Sequence, residues 1–127
     1  MPDPVQLGFA RAALIEAELA DRPADRFLAA HLAALRVAAV VLAARAHPNR
    51  SARLRNVWQL LAEVAPEYAE WAGFFAAVGR KCEVVAAGAV ALVGVREADD
   101  LLRDARLFHD QVARRFSRQD ALRVGGT

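Results

Sequence analysis

The 127-residue sequence has one cysteine, one methionine and one lysine. A lone thiol, Cys82, closes no internal disulfide, so nothing argues for secretion. Its only soft or nitrogenous companions are His31, His47 and His109, with no paired spacing among them. That points away from a zinc site, and no metal or cofactor is expected. Positive charge comes from 16 arginines beside the single Lys81, a bias that suits a GC-rich genome more than a physical need. Against 15 acidic residues the formal net charge is only +2. No strong global field draws in nucleic acid, and any basic character has to be local. The start, MPDPVQLGF, lacks a charged segment followed by an apolar run, so no signal peptide is expected. The longest apolar run, VVAAGAVALVGV from Val84 to Val95, is too short to span a bilayer and is bounded by Glu83 and Arg96. A cytoplasmic chain without membrane contact is the expectation.

Alternating apolar and polar residues, the mark of a strand, are missing as well. What is abundant is alanine, 30 residues of it, in a chain that is 56% hydrophobic. Alanine and leucine favour helix throughout. The length fits one domain over residues 1–127, enough to bury a core without cross-links.

Five helices can be read. The first runs from about Pro4 to Ala20, with Leu7, Ala10, Leu14 and Ala17 on one face. DRPAD breaks it, and Pro23 suits the first turn of the next. The second, about Pro23–Ala46, carries a main stripe of Leu28, Leu32, Leu35, Ala39, Leu42 and Ala46, and a further apolar face with Phe27, Ala34, Ala38 and Val41. A helix apolar over most of its circumference is expected at the centre of the fold. HPNRS reads as a loop, with Ser51 able to cap a short helix from about Ala52 to Val64. Pro66 reads as a new start. The fourth helix shows Tyr68, Trp71, Phe75, Val78, Cys82, Val85, Ala89 and Leu92 at alternating three-and-four spacing, with Gly94 ending or bending it. The fifth, about Arg96–Arg118, has early acids, late arginines and an apolar arc of Ala98, Leu101, Leu102, Ala105, Phe108, Val112 and Phe116. Residues from about 119 onward read as a frayed tail. Short connections make the whole an all-α, up-and-down bundle of four long helices plus a shorter one.

The stretches DRFLAAHLAALRVAAVVLAARA, VWQLLAEVAPEYAEWAGFFAAVGRKCE and READDLLRDARLF carry a resemblance. Together, over roughly Arg22 to Val112, they resemble small actinobacterial proteins of the HEPN superfamily, in a branch without an assigned activity. The resemblance implies a compact helical bundle, often dimeric. Active members are metal-independent ribonucleases that use an arginine, four to six further residues and a histidine across a dimer cleft. Only Arg103 and His109, in RDARLFHDQ, match that spacing, with Asp104 as the polar residue after the arginine. In such a nuclease His109 would act as general acid–base and Arg103 would steady phosphate charge.

Helical geometry separates this pair. Six residues turn through about 600°, or about 120° once whole turns are removed. His109 then falls within the apolar arc, while Arg103 faces nearly opposite and can pair with an acid such as Asp99.

Other features each have two readings. Arg45, Arg50, Arg53 and Arg55, with His47, surround the HPNRS loop and suit either an anion or RNA backbone, or plain solvation. No aromatic lies among them to stack bases. RRFSRQDALR, with net charge +3, is an acidic partner's contact or a solvated helix end. His31 fits a core histidine with a backbone partner, and Cys82 a buried thiol. Phe74 and Phe75 are about 100° apart, so only one can point inward. The surplus apolar surface favours a homodimer. Three functions follow: a non-catalytic dimeric interaction or scaffold module with a possible protein partner, an Arg103–His109 ribonuclease, or an RNA- or nucleotide-binding module.

Overall fold

Helix α1, Pro4–Leu19, opens a computed structural model that describes residues 4–45 and 56–125. It is followed by α2 (Pro23–Arg45), α3 (Val57–Val64), α4 (Ala69–Ala86) and α5 (Val95–Gly125). Among the described residues there is no strand. Single 3-10 turns at Pro66–Tyr68 and Val90–Leu92 precede α4 and α5.

The predicted breaks are set by local chemistry. Arg26 organises the α1–α2 turn: its guanidinium donates to the carbonyls of Ala17 (3.0 Å), Glu18 (3.1 Å) and Ala20 (2.9 Å). These belong to the carbonyls that a helix C-terminus leaves without partners. The same side chain donates to Asp99 on α5 at 2.6 Å, tying three helices together. Helix α3 begins later than expected, because Asn56 caps it by accepting from the Gln59 amide at 2.8 Å. Ser51, the expected cap, lies outside the described residues. Pro66 does start a new segment, as anticipated.

The fourth helix ends earlier than its periodicity suggests. Ala86 is its last residue, and Gly88 adopts φ +125°. The Gly88 amide donates to Val85 and the Ala89 amide to Val84, at 3.0 and 3.3 Å. This is the paired closure that a left-handed glycine permits at a helix end. Ala89 and Leu92 therefore lie beyond the helix, and Leu92 is exposed. In contrast, α5 continues past Arg118 to Gly125, since SRQDALR contains no helix breaker.

Helix α2 is central, packed on α1, α3, α4 and α5. Its buried face differs from the main stripe of leucines. Ala30, Ala33, Ala34, Val37, Ala38, Val40 and Val41 are buried; Leu28, Leu35 and Leu42 are partly covered and Leu32 is exposed. Small side chains let α1 and α5 approach α2 closely, and the longer leucines are left to the far side. Although α2 is the one described helix apolar and long enough to cross a membrane by length and composition, here it forms the bundle's interior.

Helices α2 and α5 run parallel. Near their N-termini Arg26 meets Asp99. Toward the other end Arg45 and Arg115 both reach Glu67. Helix α4 runs against α5, since Lys81 meets Glu97 and Trp71 donates to Gln111. All seven residues of the predicted α5 arc are buried. Phe108 of that arc joins Trp58, Tyr68, Trp71 and Phe75 in one aromatic cluster, with ring centroids 5.2 to 6.4 Å apart in pairs such as Trp58–Phe75 and Trp58–Phe108.

Candidate functional site

Both members of the pair singled out from sequence sit on α5, which is unbroken from Val95 to Gly125. Continuity fixes their divergence at about 120°. The Arg103 side chain is 65% exposed. It reaches Asp100 at 3.4 Å and Asp104 at 3.9 Å, while Asp99 is held by Arg26 instead. Burial pushes the Asp104 carboxyl above its usual range; the Arg103 charge pulls it back and Asp100 adds to the rise.

His109 points the other way and is only 6% exposed. Its Nδ1 lies 3.0 Å from Asp110 Oδ1, with Nδ1–H as donor. Its Nε2 is buried and without a hydrogen-bond partner among the described residues. The structure thus sends Arg103 to solvent and His109 to the interior. Asp110, the imidazole's partner, follows it directly in sequence; its charge was visible, but not that the side chain would fold back.

The basic cluster is described only in part. Arg45 lies in the last turn of α2, 2.6 Å from Glu67 Oε2, and Arg115 approaches the same oxygen at 2.5 Å. Burial alone would raise the Glu67 carboxyl, but the hydrogen bond from Arg45 and the charges of Arg45 and Arg115 leave it below its usual range. Both guanidiniums also face the Tyr68 ring, at 5.9 and 5.7 Å from its centroid. Arg45 is therefore engaged in an intramolecular knot. His47, Arg50, Arg53 and Arg55 lie outside the described residues.

His31 is a core histidine with a backbone partner: Nε2 donates to the Phe75 carbonyl at 3.1 Å. Burial lowers its pKa, against which the Phe75 bond works. Gly79 makes room for it, since a Cβ there would lie 3.2 Å from His31 Nε2. The signal for this contact was a glycine inside the apolar face of α4. Cys82 is buried and its thiol is pushed up to about 11, which keeps it protonated and unreactive. No three His, Cys, Asp or Glu are grouped as metal ligands among the described residues.

A concavity lies between α4 and α5. The bulky aromatics between these helices hold them apart and leave a groove. One part, about 720 Å³, has a floor of Phe27, Val78 and Leu101 and a rim that includes Lys81, Arg96 and Arg103. A second part, about 590 Å³, is bordered by Glu67, Glu70, Trp71 and Gln111. Phe74 and Asp104 belong to both. Phe75 is fully buried, so Phe74 is the neighbour that faces out, at 41% exposure.

The chain belongs to the SAV_6107-like HEPN family, whose pattern matches residues 17–113. No curated protein and no solved structure matches it.

Proposed function

We propose that this chain is a non-catalytic member of its family that acts in the cytoplasm as a dimeric interaction module. The observation that carries this reading is the burial of His109. An imidazole that is 8% exposed in the single chain is not offered at a surface where a second copy's arginine could join it. Acid–base catalysis needs the ring within hydrogen-bond reach of the reacting hydroxyl, directly or through one water. Arg103, solvated and paired with Asp100 and Asp104, needs no further role. Such exposed pairs are worth about 0.2–1 kcal/mol.

The test is incubation with total RNA in EDTA, beside His109→Ala and Arg103→Ala variants. All three proteins are expected to leave the RNA intact. Cleavage by the wild type that both substitutions abolish would overturn the proposal in favour of the ribonuclease.

A further inference from the structure

Helix α1, all but the last three residues of which precede the family-matched span 17–113, has two apolar faces. Ala10, Ala13, Leu14 and Ala17 are buried where it packs on α2 and α5. Gly8, Ala12, Ile15 and Leu19 lie about 180° around the helix from them and face solvent. Leu19 is 73% exposed and Ile15 56%, and a Cβ added at Gly8 would meet nothing within 4 Å. Scattered exposed apolar residues are ordinary, but this row repeats at four-three-four spacing, the interval of a seam for a second helix. Its halves differ: Gly8 and Ala12 are small, Ile15 and Leu19 large. Along one flank stand Arg11, which has no ion-pair partner among the described residues, and Glu18, whose exposed carboxylate meets Arg106 at 2.8 Å.

We propose that the outer face of α1 packs on α1 of a second copy, antiparallel, about a two-fold axis at the level between Ala13 and Leu14. Leu19 of the partner subunit then fills the space over Gly8, and Ile15 of the partner subunit the space over Ala12. The inference rests on the dimeric reading above and adds where the copies meet. A two-fold interface brings one patch against itself, so it favours a patch whose halves are complementary. Here one register serves both layers, and symmetry repeats them, so every layer of the seam joins a small residue to a large one. The same register sets Arg11 of each copy beside Glu18 of the partner subunit, the flanking contact that fixes orientation in paired helices. Parallel pairing would instead lay Gly8 on the partner's Gly8 and Leu19 on the partner's Leu19, with a gap at one end and crowding at the other.

Two thiols read the register. Gly8→Cys and Leu19→Cys change exposed positions of the full chain, while the native Cys82 is buried and unreactive. In the proposed pairing these thiols face one another between copies, whereas two copies of the same variant hold theirs about 16 Å apart along the seam, beyond disulfide reach. Under mild oxidation an equimolar mixture of the two variants should yield a cross-linked dimer, and each variant alone should not. Light scattering at about 100 µM, followed by dilution, reads the assembly itself. The wild type is expected to be a dimer, and Ile15→Lys should weaken association by about tenfold or more, because a charge enters the apolar seam twice. Arg11→Glu should weaken it by about threefold or more, since it sets like charges together at two symmetric positions. A monomeric wild type would overturn both this inference and the dimeric reading. A dimer that is indifferent to Ile15→Lys, that gives no cross-link in the mixture, or in which either variant cross-links to itself would overturn the α1 seam alone, leaving a dimer built on another face.

Discussion

At residue scale the most instructive contact is Gly79 against His31. A glycine inside a helix ordinarily costs about 1 kcal/mol relative to alanine, so Gly79→Ala should stabilise. Here the added methyl would sit 3.2 Å from a buried imidazole already committed to the Phe75 carbonyl. The ring can yield only by a few tenths of an ångström, and doing so strains that bond. Gly79→Ala is therefore expected to destabilise the wild type by about 1 kcal/mol and to stabilise a His31→Ala background, giving a coupling of about 1–2 kcal/mol in urea melts. Equal effects in both backgrounds would sink the argument. The same imidazole makes stability depend on pH. Its folded pKa lies below the ordinary 6.5, so below that pH the unfolded chain takes up a proton that the folded chain refuses. Stability conferred by the neutral ring is complete above 6.5 and declines as pH falls toward the folded pKa. His31→Gln, which keeps a donor for Phe75, should flatten that decline.

The element scale is governed by how helices end and what they are tied to. Arg26 satisfies carbonyls of α1 from α2 and holds Asp99 of α5. Its replacement by alanine strands acceptors at the α1 end, so a loss of about 2–3 kcal/mol is expected from the urea midpoint. Arg26→Lys should recover only part of it, because one ammonium cannot reproduce the planar fork. An Arg26→Ala protein as stable as the wild type would refute this role. Such ties were illegible in the sequence, since no local rule links Arg26 to the preceding helix's carbonyls or to an acid on the last helix. Starts and stops were partly legible. Pro23 and Pro66 announced theirs, since their fixed φ suits a first turn. The end of α4 was missed because Ala89 and Leu92 kept the apolar period going, and periodicity carries no record of where the backbone turns. The signal was Gly88. On α5, by contrast, spacing sufficed: large side chains at three-and-four intervals with acids and arginines between them leave one way to face inward.

At the scale of the whole molecule, two kinds of helix contact coexist. Among the described residues twelve of the 29 buried apolar ones are alanines, and five of these lie on α2, which packs on both α1 and α5. Between α4 and α5 the fillers are rings, Trp71, Phe75 and Phe108, which open the groove. Sequence reasoning identified α2 as central yet ranked its leucines as the inward stripe. Ranking by hydrophobicity favours the largest side chain, whereas the enclosed face of α2 is filled mainly by alanine and valine. The candidate site was legible in one respect: a helix's fixed rotation already separated Arg103 from His109. The long-range partners, Glu67 with Arg45 and Arg115, were beyond reach because no local rule pairs residues so distant in the chain.

The tight alanine face has a corollary for how this protein tolerates change. Ala34 is wholly enclosed, so Ala34→Leu should cost about 1–3 kcal/mol or more by calorimetry, while Leu32→Ala, on the outward side, should stay within about 0.5 kcal/mol. Along α2 the outward Leu32 can thus be trimmed at little cost, whereas the enclosed alanines admit no growth beside Phe27, Val37, Val40 and Val41, which already fill the interior.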